Sequence, residues 1–364
     1  FEELYVRTGR SYHLVDYEGA PDADRVVVVM GSGSGAVGET VEALNAAGEK
    51  VGMVNVRLFR PFPMEALLEA IPTTARAVAV LDRTKEPGSA GEPLFQDVVT
   101  ALADSDRPMP MVIGGRYGLG SKEFDPPMAK AVFDELRMPE PRRRFTVGIV
   151  DDVSGTSLDV DRAFRIDRPG RSAVFYALGS DGTVGANKSS VKIIGSMPGT
   201  HAQGYFVYDS KKSGSMTVSH LRFGPEPIRS TYLVEQADLV ACHQWVLLDR
   251  FDVLERARPG GALLLNAPYP SDEVWSKLPA AVRNGIQRLG LRVHVIDAAR
   301  ISREVGMPGR INTVMQPCFF ALADVMPRDE MIAAIKQSIV DAYGRRGRLL
   351  VEKNHAAVDA ALQH

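Results

Sequence analysis

Apolar and polar positions follow one repeating order between residues 25 and 150. Four apolar runs, RVVVVM, KVGMVNVRLF, ARAVAVLDR and MPMVIGG, alternate with GETVEALNAAG, PMEALLEAIP and EPLFQDVVTALAD. In the second set apolar residues recur at helical spacing. The runs themselves show no clean period of two, so they predict strands covered on both faces, as in a mostly parallel sheet. Residues 145–172, FTVGIVDDVSGTSLDVDRAFRIDRPGRS, break the order with Asp, Ser, Gly and Pro and read as a connector. The alternation restarts with SAVFYALG, YFVYD, ADLVACH, GALLLNA and LRVHVIDA and lasts to about residue 345, before a helical segment, VEKNHAAVDAALQH. The expected fold class is therefore α/β, with two consecutive three-layer domains and mostly parallel sheets. Their expected bounds are residues 1–155 and 172–364, with a linker at 156–171.

Composition narrows the function classes only a little. A length of 364 residues, 45% hydrophobic and 24% charged residues suit a soluble globular protein. A formal net charge of −2 supplies no global pull toward nucleic acid or an anionic membrane, and neither partner is expected. No apolar stretch approaches the ~20 residues that span a bilayer. Two cysteines, Cys242 and Cys318, suit a reducing compartment, so a cytoplasmic location is expected. The chain opens on Phe1 rather than methionine, and it reads as a piece of a longer polypeptide.

Two glycine stretches are candidates for anion binding. The first, VVVVMGSGSGAVGETVEAL, places Gly33-Ser34-Gly35-Ala36-Val37-Gly38 on the G-x-G-x-x-G pattern of dinucleotide sites. The second strand of such a unit should end in an acid, yet VGMVNV ends at Arg57. An arginine suits a 2′-phosphate, so an NADP-dependent oxidoreductase stays open. The simpler expectation is that Gly31, Gly33 and Gly35 supply positive φ for a tight strand-to-helix turn.

The second stretch, YALGSDGTVGANKSSVKIIG, carries more. Gly179, Gly182 and Gly185 follow the strand SAVFYAL, with hydroxyls at Ser180 and Thr183. Backbone N–H groups at a helix start form a concave anion site, and Lys188 stands about one turn in, within reach of the same anion. The P-loop pattern does not match, and no thiamine diphosphate motif is present. A second cluster, YDSKKSGSMTVSHLRFGPEPI, holds Lys211, Lys212, Ser213 and Gly214, with His220 and Arg222 further on. Two such loops after adjacent strands would share the carboxyl edge of a sheet and suit a phosphate-bearing ligand larger than a mononucleotide. A ligand-free interaction module is the rival reading.

The remaining constellations read as structural. Asp151-Asp152 has no third ligand nearby and reads as linker hydrogen bonding. Cys242-His243, after ADLVA, reads as core packing, because catalytic dyads are assembled in space. RRRF at 142–145 suits a surface or interface role. The stretch 307–327, MPGRINTVMQPCFFALADVMP, suits a buried helix or a face packed on another domain.

The segments GSDGTVGANKSSVKIIG, YDSKKSGSMTVSHLRFG, FTVGIVDDVSGTSL and GEKVGMVNVRLFRPFP are similar to those of the pyruvate:ferredoxin (flavodoxin) oxidoreductase family, in the same order. The resemblance implies that residues 1–155 form an α/β domain similar to a transketolase C-terminal domain. Residues 172–364 resemble the gamma-type, coenzyme A-contacting domain of 2-oxoacid:ferredoxin oxidoreductases. It further implies a parent enzyme that converts pyruvate and coenzyme A to acetyl-CoA and carbon dioxide, reducing ferredoxin or flavodoxin. That parent carries thiamine diphosphate and [4Fe-4S] clusters in other domains and is expected to be a homodimer. This segment, inactive alone, would brace the thiamine domains and help seat coenzyme A. On that reading Asp181, Gly182, Thr183 and Asn187 shape the first loop, with Lys188 as a charge partner. Lys211, Lys212 and Ser213 form the second, and Arg222 is a further contact; no residue is assigned a catalytic or metal-binding role.

Overall fold

Four consecutive valines in RVVVV restrict the backbone to extended conformations and leave no polar side chain for a solvent face. In the computed structural model, which describes residues 1–150, 153–208 and 215–363, this run is the centre of the first of two six-stranded sheets. The chain divides into two compact units. One comprises Phe1–Arg168 with Arg229–Tyr232, the other Pro169–Ile228 with Leu233–His364.

The first sheet contains β1 (Val15–Gly19), β2 (Arg25–Val29), β3 (Val51–Val56), β4 (Ala77–Asp82), β5 (Met111–Arg116) and β6 (Arg144–Thr146), in the order β1-β3-β2-β4-β5-β6. Only β1 runs antiparallel to its neighbour. Alternate residues feed opposite cores. Val27, Met53 and Ala79 pack with the helices Gly33–Ala46 and Pro126–Glu135, whereas Val26, Val54 and Val80 pack with Met64–Ala70 and Pro93–Ala103. The period of two that the apolar runs hide is therefore present, divided between two buried faces.

The second sheet contains β7 (Arg171–Leu178), β8 (His201–Tyr208), β9 (Met216–Gly224), β10 (Ala237–Cys242), β11 (Ala257–Asn266) and β12 (Arg292–Ile296). Its order is β12-β11-β10-β7-β9-β8, parallel from β12 to β7, with β9 antiparallel to both its neighbours. One face meets Thr183–Gly195 and the helices Ala298–Glu304, Ile311–Ala323, Arg328–Tyr343 and Arg348–Ala361; the other meets Ser271–Lys277 and Ala280–Leu289. The four apolar runs expected in the first unit and the five in the second are strands. β1, β6 and β9 carried too few apolar residues, or too many polar ones, to be expected. The segment 307–327 contributes a buried helix, with Val314, Met315, Phe319 and Phe320 in the core. Asp151 and Asp152 lie outside the described residues.

The stretch expected to link the domains rests on the first unit: Leu158 is buried in its core, and Val160 and Phe164 pack against it. Arg168, at its end, is one of the cations around a fully buried carboxylate, Glu39. Glu39 accepts hydrogen bonds from Ser230 Oγ at 2.7 Å and Tyr232 Oη at 2.6 Å, and Arg168 Nε lies 3.6 Å away. Glu42, on the same helix, pairs with Arg168 at 2.6 Å and with Arg229 at 2.9 Å. A carboxylate taken out of water needs such partners, or its burial outweighs the packing it allows.

Two results are expected. Glu39→Ala removes the carboxylate that Ser230, Tyr232 and Arg168 converge on and destabilises the first unit by about 3 kcal/mol, with Glu39→Gln intermediate; an unchanged urea midpoint would remove Glu39 from this role. In the second unit, burial lowers His220 to about 3 and His243 to about 4, so both are neutral when folded. Each stabilises fully above the unfolded imidazole value near 6.5 and loses that contribution as pH falls toward the folded value. By pH 5 the loss is on the order of 2 kcal/mol for each. A His220→Gln, His243→Asn double variant should flatten the midpoint between pH 7 and 5; an unaltered slope would count against the assignment.

Candidate functional site

The carboxyl end of β7 opens into the loop at 179–182, where the chain turns sharply into the helix Thr183–Gly195. Two residues adopt left-handed backbone there, Ser180 at φ 75° and Gly182 at φ 90°. Asp181 organises the turn. One carboxylate oxygen accepts from Leu178 N–H and from Gln244 Nε2, each at 3.1 Å, and the other accepts from Thr183 N–H at 2.9 Å. Gly182 is required for space as well as for φ, since a Cβ there would stand 2.7 Å from Asn312 Oδ1. Glycine thus admits the Asn312 amide to the helix start.

Behind the loop lies a polar cluster. Thr183 Oγ1 and His243 Nδ1 share a hydrogen bond of 2.8 Å, and the His243 backbone is held on both sides, by Tyr176 O and by Asn266 Nδ2. Thr183 and Asn187, four residues apart, face the interior together. Three polar atoms here are buried without a partner: Asn187 Nδ2, His243 Nε2 and Asn312 Oδ1. Their residues are 3%, 2% and 9% exposed. Native interiors pair such groups almost without exception, so three orphans at one helix start single it out as the candidate site. The imidazole is kept neutral by burial, with the Asp181 carboxylate opposing that shift. Its free nitrogen is a donor or an acceptor according to which way the Thr183 bond points. Beyond the cluster the site is open: Gly185 is exposed, with nothing within 4 Å of a Cβ placed there. First-turn amides at Val184 and Gly185 have no acceptor inside their helix.

The expected site residues separate into three groups. Asp181, Gly182, Thr183 and Asn187 stand together as described. Lys188 is exposed on the flank of the helix, its Nζ 5.3 Å from the Phe206 ring centroid, rather than over the loop. Arg222 is remote. It belongs to β9, is in register with Ser172 at the opposite end of β7 from Leu178, and bonds Gln203 at 3.2 Å and the Leu233 carbonyl at 2.9 Å. The run SMTVSHLRFG, read as part of a loop, is largely an antiparallel strand, which carries Arg222 across the sheet. Lys211, Lys212 and Ser213 lie outside the described residues. Their flanks, Tyr208 and Met216, stand at the same sheet edge as Leu178, and Gly179 N–H donates to Ser215 O at 2.8 Å.

Three residues of the cluster were not anticipated. His243 was expected only to pack; its neighbour Cys242 does, 1% exposed in the core. Asn312 gave one usable signal, an amide amid apolar positions in INTVMQPCFF, a stretch that also holds Gln316; Gln244 gave none.

The first glycine stretch serves a different purpose. Of Gly31, Gly33 and Gly35, expected to supply positive φ, only Gly31 does, at 73°. The others lie within a helix and permit close packing: a Cβ on Gly33 would be 2.6 Å from Tyr117 Oη, and Cβ atoms on Gly35 and Gly38 would collide with Arg229. Thr231 Oγ1 also donates to Ser32 O at 2.7 Å. The chain itself occupies the start of that helix, and Arg57 is taken by Asp16 and by the Tyr12 ring.

Two family models match separate parts of the chain. Residues 172–364 match the family model for pyruvate ferredoxin/flavodoxin oxidoreductase, and residues 23–126 match that for pyruvate:ferredoxin oxidoreductase core domain II. The chain is 56% identical over 366 residues to the pyruvate-flavodoxin oxidoreductase of Trichormus variabilis, covering 100% of this chain and 31% of that protein. It is 53% identical over 363 residues to the pyruvate:ferredoxin oxidoreductase of Moorella thermoacetica, with coverage of 100% and 31%. A solved pyruvate oxidoreductase subunit of Thermotoga maritima is similar at 18% identity and a TM-score of 0.43, covering 54% of this chain and 97% of its own. The chain thus spans under a third of the length of the curated relatives it matches. With one model covering more than half of its residues, this chain belongs to the pyruvate ferredoxin/flavodoxin oxidoreductase family.

Proposed function

We propose that this chain is the segment of a pyruvate:ferredoxin or flavodoxin oxidoreductase that helps seat coenzyme A and braces the thiamine domains, and that it is inactive alone. In the parent, pyruvate and coenzyme A give acetyl-CoA and carbon dioxide, and two electrons leave to ferredoxin or flavodoxin. Thiamine diphosphate would supply the stabilised carbanion there. Among the described residues no three His, Cys, Asp or Glu side chains group as a metal would require. In this reading, which rests on the family resemblance, the thiamine and iron–sulfur chemistry belongs to the remaining domains, and the active enzyme is a homodimer of the full chain.

One observation carries the coenzyme A reading: the three orphaned polar atoms around Gly182. Asn187 Nδ2 is a donor suited to a phosphoryl oxygen, and the first amides of the helix add donors with the favourable end of its dipole. Asn312 Oδ1 is an acceptor suited to an amide or amine N–H. Coenzyme A offers both kinds of partner, in its phosphates and in its adenine and pantetheine groups. Lys211, Lys212 and Ser213, which lie outside the described residues, remain part of this reading as the second, positively charged segment.

In the full-length enzyme, Asn187→Ala and Asn312→Ala should each raise the KM for coenzyme A about tenfold and leave the KM for pyruvate unchanged, the loss expected for one hydrogen bond to a charged or polar ligand group. Gly182→Val should have a larger effect, because its side chain meets Asn312. Lys188→Ala should act more weakly than Asn187→Ala. A lower kcat with an unaltered KM for coenzyme A would instead assign the loop to bracing alone.

A further inference from the structure

A separate feature of the first unit is a cavity of about 290 Å³ at the β5–β6 edge of its sheet. Parallel pairing puts Gly114 beside Arg144 and Arg116 beside Thr146, so these four positions share one face. Gly114 has no side chain, and a Cβ there would meet the Phe95 ring at 2.7 Å. That ring is the floor, and the Arg144 guanidinium lies over it, Cζ 3.9 Å from the centroid. Lys85 and Arg116 complete the lining, with Glu92 between.

The charges do not balance. Glu92, 6% exposed, takes Arg116 Nε on one oxygen and the Glu86 N–H, at 2.7 Å, on the other. The nearby Asp82 carboxylate is already used by Leu94 and Phe95 N–H at 3.0 and 3.1 Å. Among the described residues, three cations thus line a small cavity against one carboxylate; Arg144 also donates to the Ala90 carbonyl at 3.0 Å and is held below the usual arginine value by burial and by the Arg116 charge. Like charges gathered on one cavity repel, even where solvent screens part of each charge. They are tolerated where a polyvalent anion completes the set, and guanidinium pairs suit phosphoryl oxygens in particular.

We propose that this cavity binds a small phosphorylated anion, held by Lys85, Arg116 and Arg144 over the Phe95 ring. Its volume lies at the low end for small-molecule sites and excludes a folded peptide segment.

The test is calorimetric titration of the 364-residue chain with pyrophosphate, repeated with orthophosphate. Saturable binding is expected, weakened ~10-fold or more by Lys85→Gln and by Arg116→Gln, since each removes a charge-assisted contact. Lys85 is exposed, so its variant stays folded even if loss of the Glu92 pair perturbs the other. Arg143→Gln, an exposed neighbour outside the cavity, should bind as the parent sequence does. Asn187→Ala should also leave this binding intact, which separates it from the coenzyme A reading. Absence of pyrophosphate binding, equal affinity in the Lys85 and Arg116 variants, or an equal loss in Arg143→Gln would overturn the proposal.

Discussion

A sheet covered by helices on both faces keeps few polar side chains away from the ends and edges of its strands. The central parallel strands obey that constraint with few exceptions, such as Asn55, while β9 departs from it. Val26 to Val29 are wholly buried, as are Val174 and Leu263. In the second unit a cluster of polar side chains gathers where β7 and β10 end, around Asp181 and His243; in the first, charged side chains line the β5–β6 edge. The two glycine stretches differ for the same reason. Both follow a parallel strand and open a helix, and each helix start must find something to satisfy it. Around Gly35 and Gly38 the chain supplies its own cover, whereas around Gly182 buried polar atoms are left waiting.

The elements buried on both faces were legible because their apolar runs leave no other reading. Those missed had weak or mixed patterns. β9 reads MTVSHLRFG, with polar residues at alternate positions that are nonetheless buried: Thr217 is 3% and Ser219 1% exposed. A polar residue on a covered face looks, from sequence, like a loop residue. That misreading put Arg222 near Lys211, when the strand carries it to the far end of β7.

Site residues within one loop were recoverable from the spacing of Gly182, Thr183 and Asn187, because a helix start imposes fixed offsets. His243 and Asn312 were not. They arrive from elements 60 and more than 120 positions further along, and only packing decides that they face the same helix start. A single sequence carries no signal of that meeting. It does show which residues are out of place: an amide among aliphatics in one helix, an imidazole closing an apolar strand. Such misfits indicate where tertiary structure has a use for a polar atom.

The Glu39 arrangement has a temporal consequence. Its hydroxyl partners stand 191 and 193 positions later in the chain. During synthesis, everything between them, including β7, β8 and β9, must be made before the buried acid meets its counterparts. Until then the growing polypeptide carries a helix whose carboxylate still depends on water. Such long-range closure is slow to form. The first unit therefore finishes maturing only after the opening strands of the second, β7 to β9, have been made.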